Sequence, residues 1–225
     1  MKYWQRIGIA IVALALAQFA GHSATADEKP FAGIRGDISL DLPIWPSLTD
    51  LEPAASGSFD STGFGLGASV HWPVAQFTNS DLLLGIDGTI AATDSSISGT
   101  FADLLARQLY LGGSIKWQFG DARNVSLDLG LGYHELDMAQ VDSNWRGSVE
   151  NEQWSESTAS AFVGGTWDIG AGRSDHDSGL MLALRIHFAD FGQVVDEDVF
   201  FTVLGSDAGK LDGPLYMLRI GYSSR

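Results

Sequence analysis

The feature that most restricts this chain is a switch of polarity at every second residue, sustained over segments of about ten residues. In SIKWQFGDARNVSLDLGLGYH (Ser114–His134), Lys116 stands between Ile115 and Trp117, and Asp128 between Leu127 and Leu129. A β-strand points successive side chains to opposite faces, so this spacing makes one face apolar and the other polar or charged. Eight such segments are predicted, at about Phe31–Leu42, Thr62–Trp72, Leu82–Ala92, Leu105–Phe119, Val125–Leu136, Ser157–Ile169, Leu180–Ala189 and Leu215–Tyr222. Leu83 is a break in the third, and FADLLARQ (Phe101–Gln108) reads equally as a short helix.

The connections alternate in length. Pro73–Asp81, Gly120–Asn124 and Gly170–Gly179 are short, whereas Pro43–Ser61, Thr93–Leu104, Asp137–Glu156 and Asp190–Pro214 are long. Strands joined this way form an up-and-down meander, with short turns on one rim and long loops on the other. Trp72, Trp117 and Trp167 each lie on the apolar face where a segment runs into a short connection. Phe31, opening the first segment, and Tyr222, closing the last, belong at the same level. Aromatic residues at one level suggest a girdle at a membrane–water interface.

Alternation alone does not say which face is inside, but composition does. The polar face carries about ten charged side chains, among them Arg35, Asp37, Asp87, Lys116, Asp128, Asp168, Arg185 and Arg219. Facing lipid, a midplane Arg or Lys costs about 2–4 kcal/mol, so the set would cost on the order of 20 kcal/mol. That exceeds the whole stability of a typical domain, about 5–15 kcal/mol. In a membrane these residues must line the lumen as an ion-pair network. The interior of an eight-stranded barrel is just wide enough for side chains to fill. The fold class expected is an all-β, eight-stranded, antiparallel, up-and-down transmembrane β-barrel.

The first 26 residues read as a cleaved signal peptide. Lys2 and Arg6 precede the apolar run Ile7–Ala20, and Ala24-Thr25-Ala26 forms a small-x-small site before Asp27. Residues 27–225 then form one barrel domain. The formal net charge of −15 becomes −17 once the leader's two basic residues are removed. Such acidity disfavours nucleic acid as a partner and suits divalent cations. The chain has no cysteine, which excludes disulfides, a thiol nucleophile and cysteine metal sites.

Over about Phe31–Tyr222 the chain resembles the small eight-stranded outer-membrane β-barrel proteins of Gram-negative bacteria, of the outer membrane protein A transmembrane-domain, X and W type. The closing LYMLRIGY (Leu215–Tyr222) is similar to the final-strand signal of such proteins, although Ser223-Ser224-Arg225 follow it. The resemblance implies a monomer in the cell outer membrane. Both termini would be periplasmic, and partners would be the barrel assembly machinery, outer-membrane lipids and lipopolysaccharide.

No catalytic, cofactor or metal site is expected. Of the five histidines, His22 lies in the leader and His176 in a polar turn, while His71, His134 and His187 share the polar face. No compact Ser/His pattern marks a lipid-modifying enzyme. GFGLGAS (Gly63–Ser69) alternates within a strand and opens no helix, unlike a phosphate loop. VENEQWSE (Val149–Glu156) and VVDEDVF (Val194–Phe200) read as acidic loops near the lipopolysaccharide layer, where divalent cations would moderate repulsion. The expected role is structural or interactive, through long acidic extracellular loops. The sequence leaves three rivals open: a narrow channel for small solutes or ions, a lipid A-modifying enzyme, and a soluble ligand-binding barrel.

Overall fold

The structure is a computed structural model that describes residues 34–46, 62–96, 102–120, 123–144, 147–169, 178–192 and 211–224; side chains at 94–96, 102–104, 140–144 and 147–154 are outside the description. The leader, Phe31, His176 and VVDEDVF lie outside the described residues.

Eight strands form one closed barrel in chain order: β1 Arg35–Ile44, β2 Phe64–Gln76, β3 Ser80–Ser96, β4 Ala102–Phe119, β5 Val125–Asn144, β6 Gly147–Ile169, β7 Ser178–Ala189 and β8 Pro214–Ser224. Every neighbouring pair is antiparallel, and β1 closes on β8 through pairs such as Ile38↔Tyr222 and Leu42↔Leu218. Closure leaves no free edge within the wall itself, so each backbone group there finds its partner on an adjacent strand. Gly120, at φ 90°, supplies the left-handed residue of the tight β4–β5 turn, and Arg123 N–H donates to its carbonyl at 2.9 Å.

Register decides the faces. Leu129 is 47% and Leu184 52% exposed, on the outside of the barrel, while their neighbours Asp128 and Arg185 are 1% and 2% exposed within it. The outward face is apolar from the short-turn rim up to Tyr133 on β5, and turns polar at Glu135 and Asp137. Arg107 on β4 and Ser155 and Ser157 on β6 mark the same change. From Val125 to Tyr133 a strand rises about 27 Å. At a tilt of about 40° that gives a belt of about 20 Å, close to the apolar band of about 25 Å typical of outer-membrane barrels.

Four expectations need correction. Residues 102–108 are strand, not helix, because β4 must continue to pair with β3 and β5. Asp137–Glu156 is not a loop: β5 and β6 stay paired up to Asn144↔Gly147, and VENEQWSE belongs to β6. Thr93–Leu104 shortens likewise, since β3 and β4 pair up to Ser96↔Asp103. Polar residues in these stretches hid the strands, because above the membrane the outward face no longer meets hydrocarbon and the alternation fades. The connection Pro73–Asp81 also shrinks, as β2 reaches Gln76 through an irregularity between Pro73 and Ala75.

Candidate functional site

The inward faces build three layers. Nearest the short-turn rim and through the middle lies an ionic layer. Asp37 accepts from Lys116 Nζ at 2.8 Å and from Ser69 Oγ at 2.8 Å. Asp87 takes Arg185 Nη2 at 2.8 Å and Arg219 Nη1 at 3.5 Å, and accepts from Ser114 Oγ. Arg219 Nε donates to Asp41 at 2.9 Å, and Thr89 Oγ1 donates to the same carboxylate at 2.9 Å. Asp128 accepts from Ser126 at 2.9 Å and Thr166 at 2.6 Å, with Arg185 Nη2 at 3.8 Å. Ser223 Oγ donates to Asp168 at 2.9 Å. Arg35 and Arg123 approach Asp81 at 3.9 and 3.2 Å.

All eight charged residues singled out from the sequence therefore point inward, and the structure adds Asp41 and Asp81 to them. Asp41 has the parity of Asp37 in the first segment, and Asp81 closes the short connection Pro73–Asp81. Small lumen residues make room for the network. His71 crosses Gly85 to reach Ser114, with Nε2···Oγ at 2.9 Å, and a Cβ at Gly85 would strike the His71 ring. Gly85→Val is expected to cost about 1–3 kcal/mol by overpacking. Gly113→Val, on the open outward face, should stay within about 0.5 kcal/mol. Urea midpoints of the two variants in lipid vesicles test this difference.

Above the ionic layer lies a layer of rings. Tyr110 packs edge-on against His187 (4.9 Å between centroids), Phe162 (5.8 Å) and His134 (5.9 Å). His134 Nε2 reaches Gln108 Oε1 at 3.2 Å. An apolar lid covers the rings at the long-loop rim. It consists of Trp45, Leu136, Met138, Phe191, Leu211 and Leu215, all buried. Sequence reading missed this lid, because Leu136 and Met138 have inward parity but no charge, and Trp45, Phe191 and Leu211 lie just beyond strand ends.

Ser114, His71 and Asp37 follow one another as in a hydrolase, with His71 Nδ1 4.0 Å from Asp37. They do not make a usable nucleophile. The Ser114 proton is directed to Asp87, and all three residues are sealed inside the wall, out of reach of lipid. His134 and His187 are enclosed too. Among the described residues no group of three or more His, Cys, Asp or Glu side chains is placed to hold a metal ion.

Trp72, Trp117, Trp167 and Tyr222 all project outward near the short-turn rim. Trp117 packs on Phe119 at 6.0 Å, and Tyr222 Oη donates to Ser178 Oγ. A charged, hydrogen-bonded interior behind an apolar exterior is the reverse of a water-soluble barrel. The molecule thus has the architecture of an outer-membrane β-barrel protein.

No family model matches the chain, and no curated protein does. Solved structures similar in fold include Ail, the attachment invasion locus protein of Yersinia pestis, at 14% identity and TM-score 0.44, covering 84% of this chain and 97% of Ail. Neisserial surface protein A (NspA) matches at 14% and 0.45, covering 85% and 96%. The outer membrane protein OprG from Pseudomonas aeruginosa matches at 11% and 0.42, covering 85% and 94%. Similarity at this level carries no inference of function, and the class rests on the barrel's own geometry.

Proposed function

We propose that the protein sits in the outer membrane as a sealed, monomeric barrel that acts outside the membrane, through its acidic β5–β6 hairpin, in envelope integrity or surface contact. The observation that supports this most is the continuation of β5 and β6 beyond the apolar belt as a paired ribbon, with β4 alongside β5 as far as Ala102↔Asp142. Between Glu135 and Glu156 the chain carries six acidic residues and a single basic one, Arg146. Among the described residues, β6 above Ser160 pairs with β5 but not with β7. The ribbon thus offers backbone donors and acceptors as well as negative charge. The partners that suit it are lipopolysaccharide phosphates bridged by divalent cations. The ionic network of the lumen stiffens the support, and the girdle of Trp72, Trp117, Trp167 and Tyr222 holds it at the periplasmic interface; Phe31 is assigned to the same girdle by sequence alone.

Trypsin cleavage at Arg146 in vesicles containing lipopolysaccharide tests this reading. Calcium should slow cleavage several-fold and a chelator should restore it. Equal rates with and without calcium would remove the cation bridge.

A further inference from the structure

We propose that the barrel has a second activity as an acid-opened path for small ions, in which His134 and His187 form the latch beneath the apolar lid. The proposal rests on the sealed membrane barrel described above. Trp45, Phe191 and Leu211 are lid residues carried just outside the ends of β1, β7 and β8, three neighbours in the wall. They can lift without breaking the ladder of the barrel. Among the described residues, the backbone hydrogen bonds of Phe191 and Leu211 are Phe191 N–H to Leu211 O at 3.1 Å and Leu211 N–H to Gly192 O at 3.0 Å.

The latch lies directly beneath. Trp45 stacks on His134 at 6.5 Å and Phe191 meets the same ring edge-on at 5.3 Å, while His187 lies 5.9 Å from His134. His134 Nδ1 and both His187 nitrogens are buried without a hydrogen-bond partner. A second proton on either ring would therefore leave a charged N–H buried without an acceptor in the closed barrel, which burial penalises.

Among the described residues, the surroundings on the packed strands bring no free carboxylate to either ring, and the Tyr110 and Ser160 hydroxyls stand without partners of their own. β4 presents Gln108 and Tyr110, β6 presents Ser160 and Phe162, and β2 presents the glycines Gly65 and Gly67. The charged groups that reach His187 are Arg185 on β7, Arg219 on β8 and Asp87 on β3, and Asp87 is already bound by both arginines. Asp41 on β1 is bound by Arg219. His71 differs in its neighbours: it lies 4.0 Å from Asp37 and 3.5 Å from Asp87.

Water entering through a raised lid solvates both imidazolium ions. Below it lies the ionic layer, whose Asp, Lys and Arg side chains would line the route for small ions. The open state thus binds up to two protons that the closed state excludes. Below the ordinary imidazole value of about 6.5, the open-to-closed ratio should rise by up to about 100-fold per pH unit.

Planar-bilayer recordings of the full barrel from pH 7.5 to 5 test this. The wild type should be closed for most of the time at pH 7.5, and its open-to-closed ratio should approach a 100-fold rise per pH unit below 6. H134Q and H187Q alone should each show a rise of about tenfold per unit, and the double variant should not respond. A flat wild-type response, in a barrel that inserts and migrates in a heat-modifiable way on gels, overturns the latch and leaves the membrane barrel intact. Persistence of the full response in the double variant also overturns it. Failure to insert overturns the membrane reading and the latch together.

Discussion

Asp87→Ala should lower the unfolding free energy by about 3–5 kcal/mol, the range for removing one partner from a buried charge pair. Asp87 joins β3 to two distant strands, through Arg185 on β7 and Arg219 on β8, and also accepts from Ser114 on β4. Its removal takes the 2.8 Å partner from Arg185, which keeps Asp128 at 3.8 Å, takes one of two carboxylates from Arg219, and removes the acceptor of the Ser114 hydroxyl. The loss exceeds that of any single hydroxyl in the layer. Ser126→Ala, which removes one of the donors to Asp128, should cost about 1 kcal/mol. Equilibrium unfolding from lipid vesicles in guanidinium chloride measures both. An Asp87→Ala loss no larger than that of Ser126→Ala would mean that the lumen charges are solvated individually rather than coupled.

The second large effect is on the outside. Leu129→Arg, near the middle of the apolar belt, should cost about 2–4 kcal/mol, whereas Glu135→Arg, above the belt, should cost about 0–1 kcal/mol. The same pair of variants in a water-soluble barrel would differ by less, since exposed substitutions stay within about 0.5 kcal/mol. The depth profile of arginine along Val125–Glu135 therefore locates the membrane on β5. A flat profile would place Leu129 in water and refute the orientation.

Much of the barrel was legible in the chain. All eight strands were found because a wall that separates hydrocarbon from a charged interior imposes the period of two on most residues within the belt, Leu83 being an inward-facing exception. Lys116 and Asp128, the charges embedded in greasy sequence, are direct cross-strand partners inside that wall. Outside the belt this constraint relaxes: β5 runs on to Asn144 and β6 starts at Gly147, where loop was expected, and β4 begins at Ala102, where a helix was the alternative.

Within the lumen, parity showed which residues point inward but not which ones meet. Asp87 and Arg185 lie four strands apart in chain order, and barrel closure together with strand stagger brings them to 2.8 Å. The approach of Ser114 to His71 across Gly85 is another such meeting, between strands that are not neighbours. The apolar lid follows the same logic, since Trp45, Phe191 and Leu211 lie beyond strand ends where no period applies.

What the sequence determined by itself was the strand set, the sidedness of each strand and the charge of the interior, because these depend on local alternation and on the cost of placing charge in hydrocarbon. Only the tertiary structure decided the pairing of charges, the sealing of the histidines and the height of the β5–β6 ribbon. Those depend on stagger between strands around a closed cylinder, a quantity that no single strand encodes.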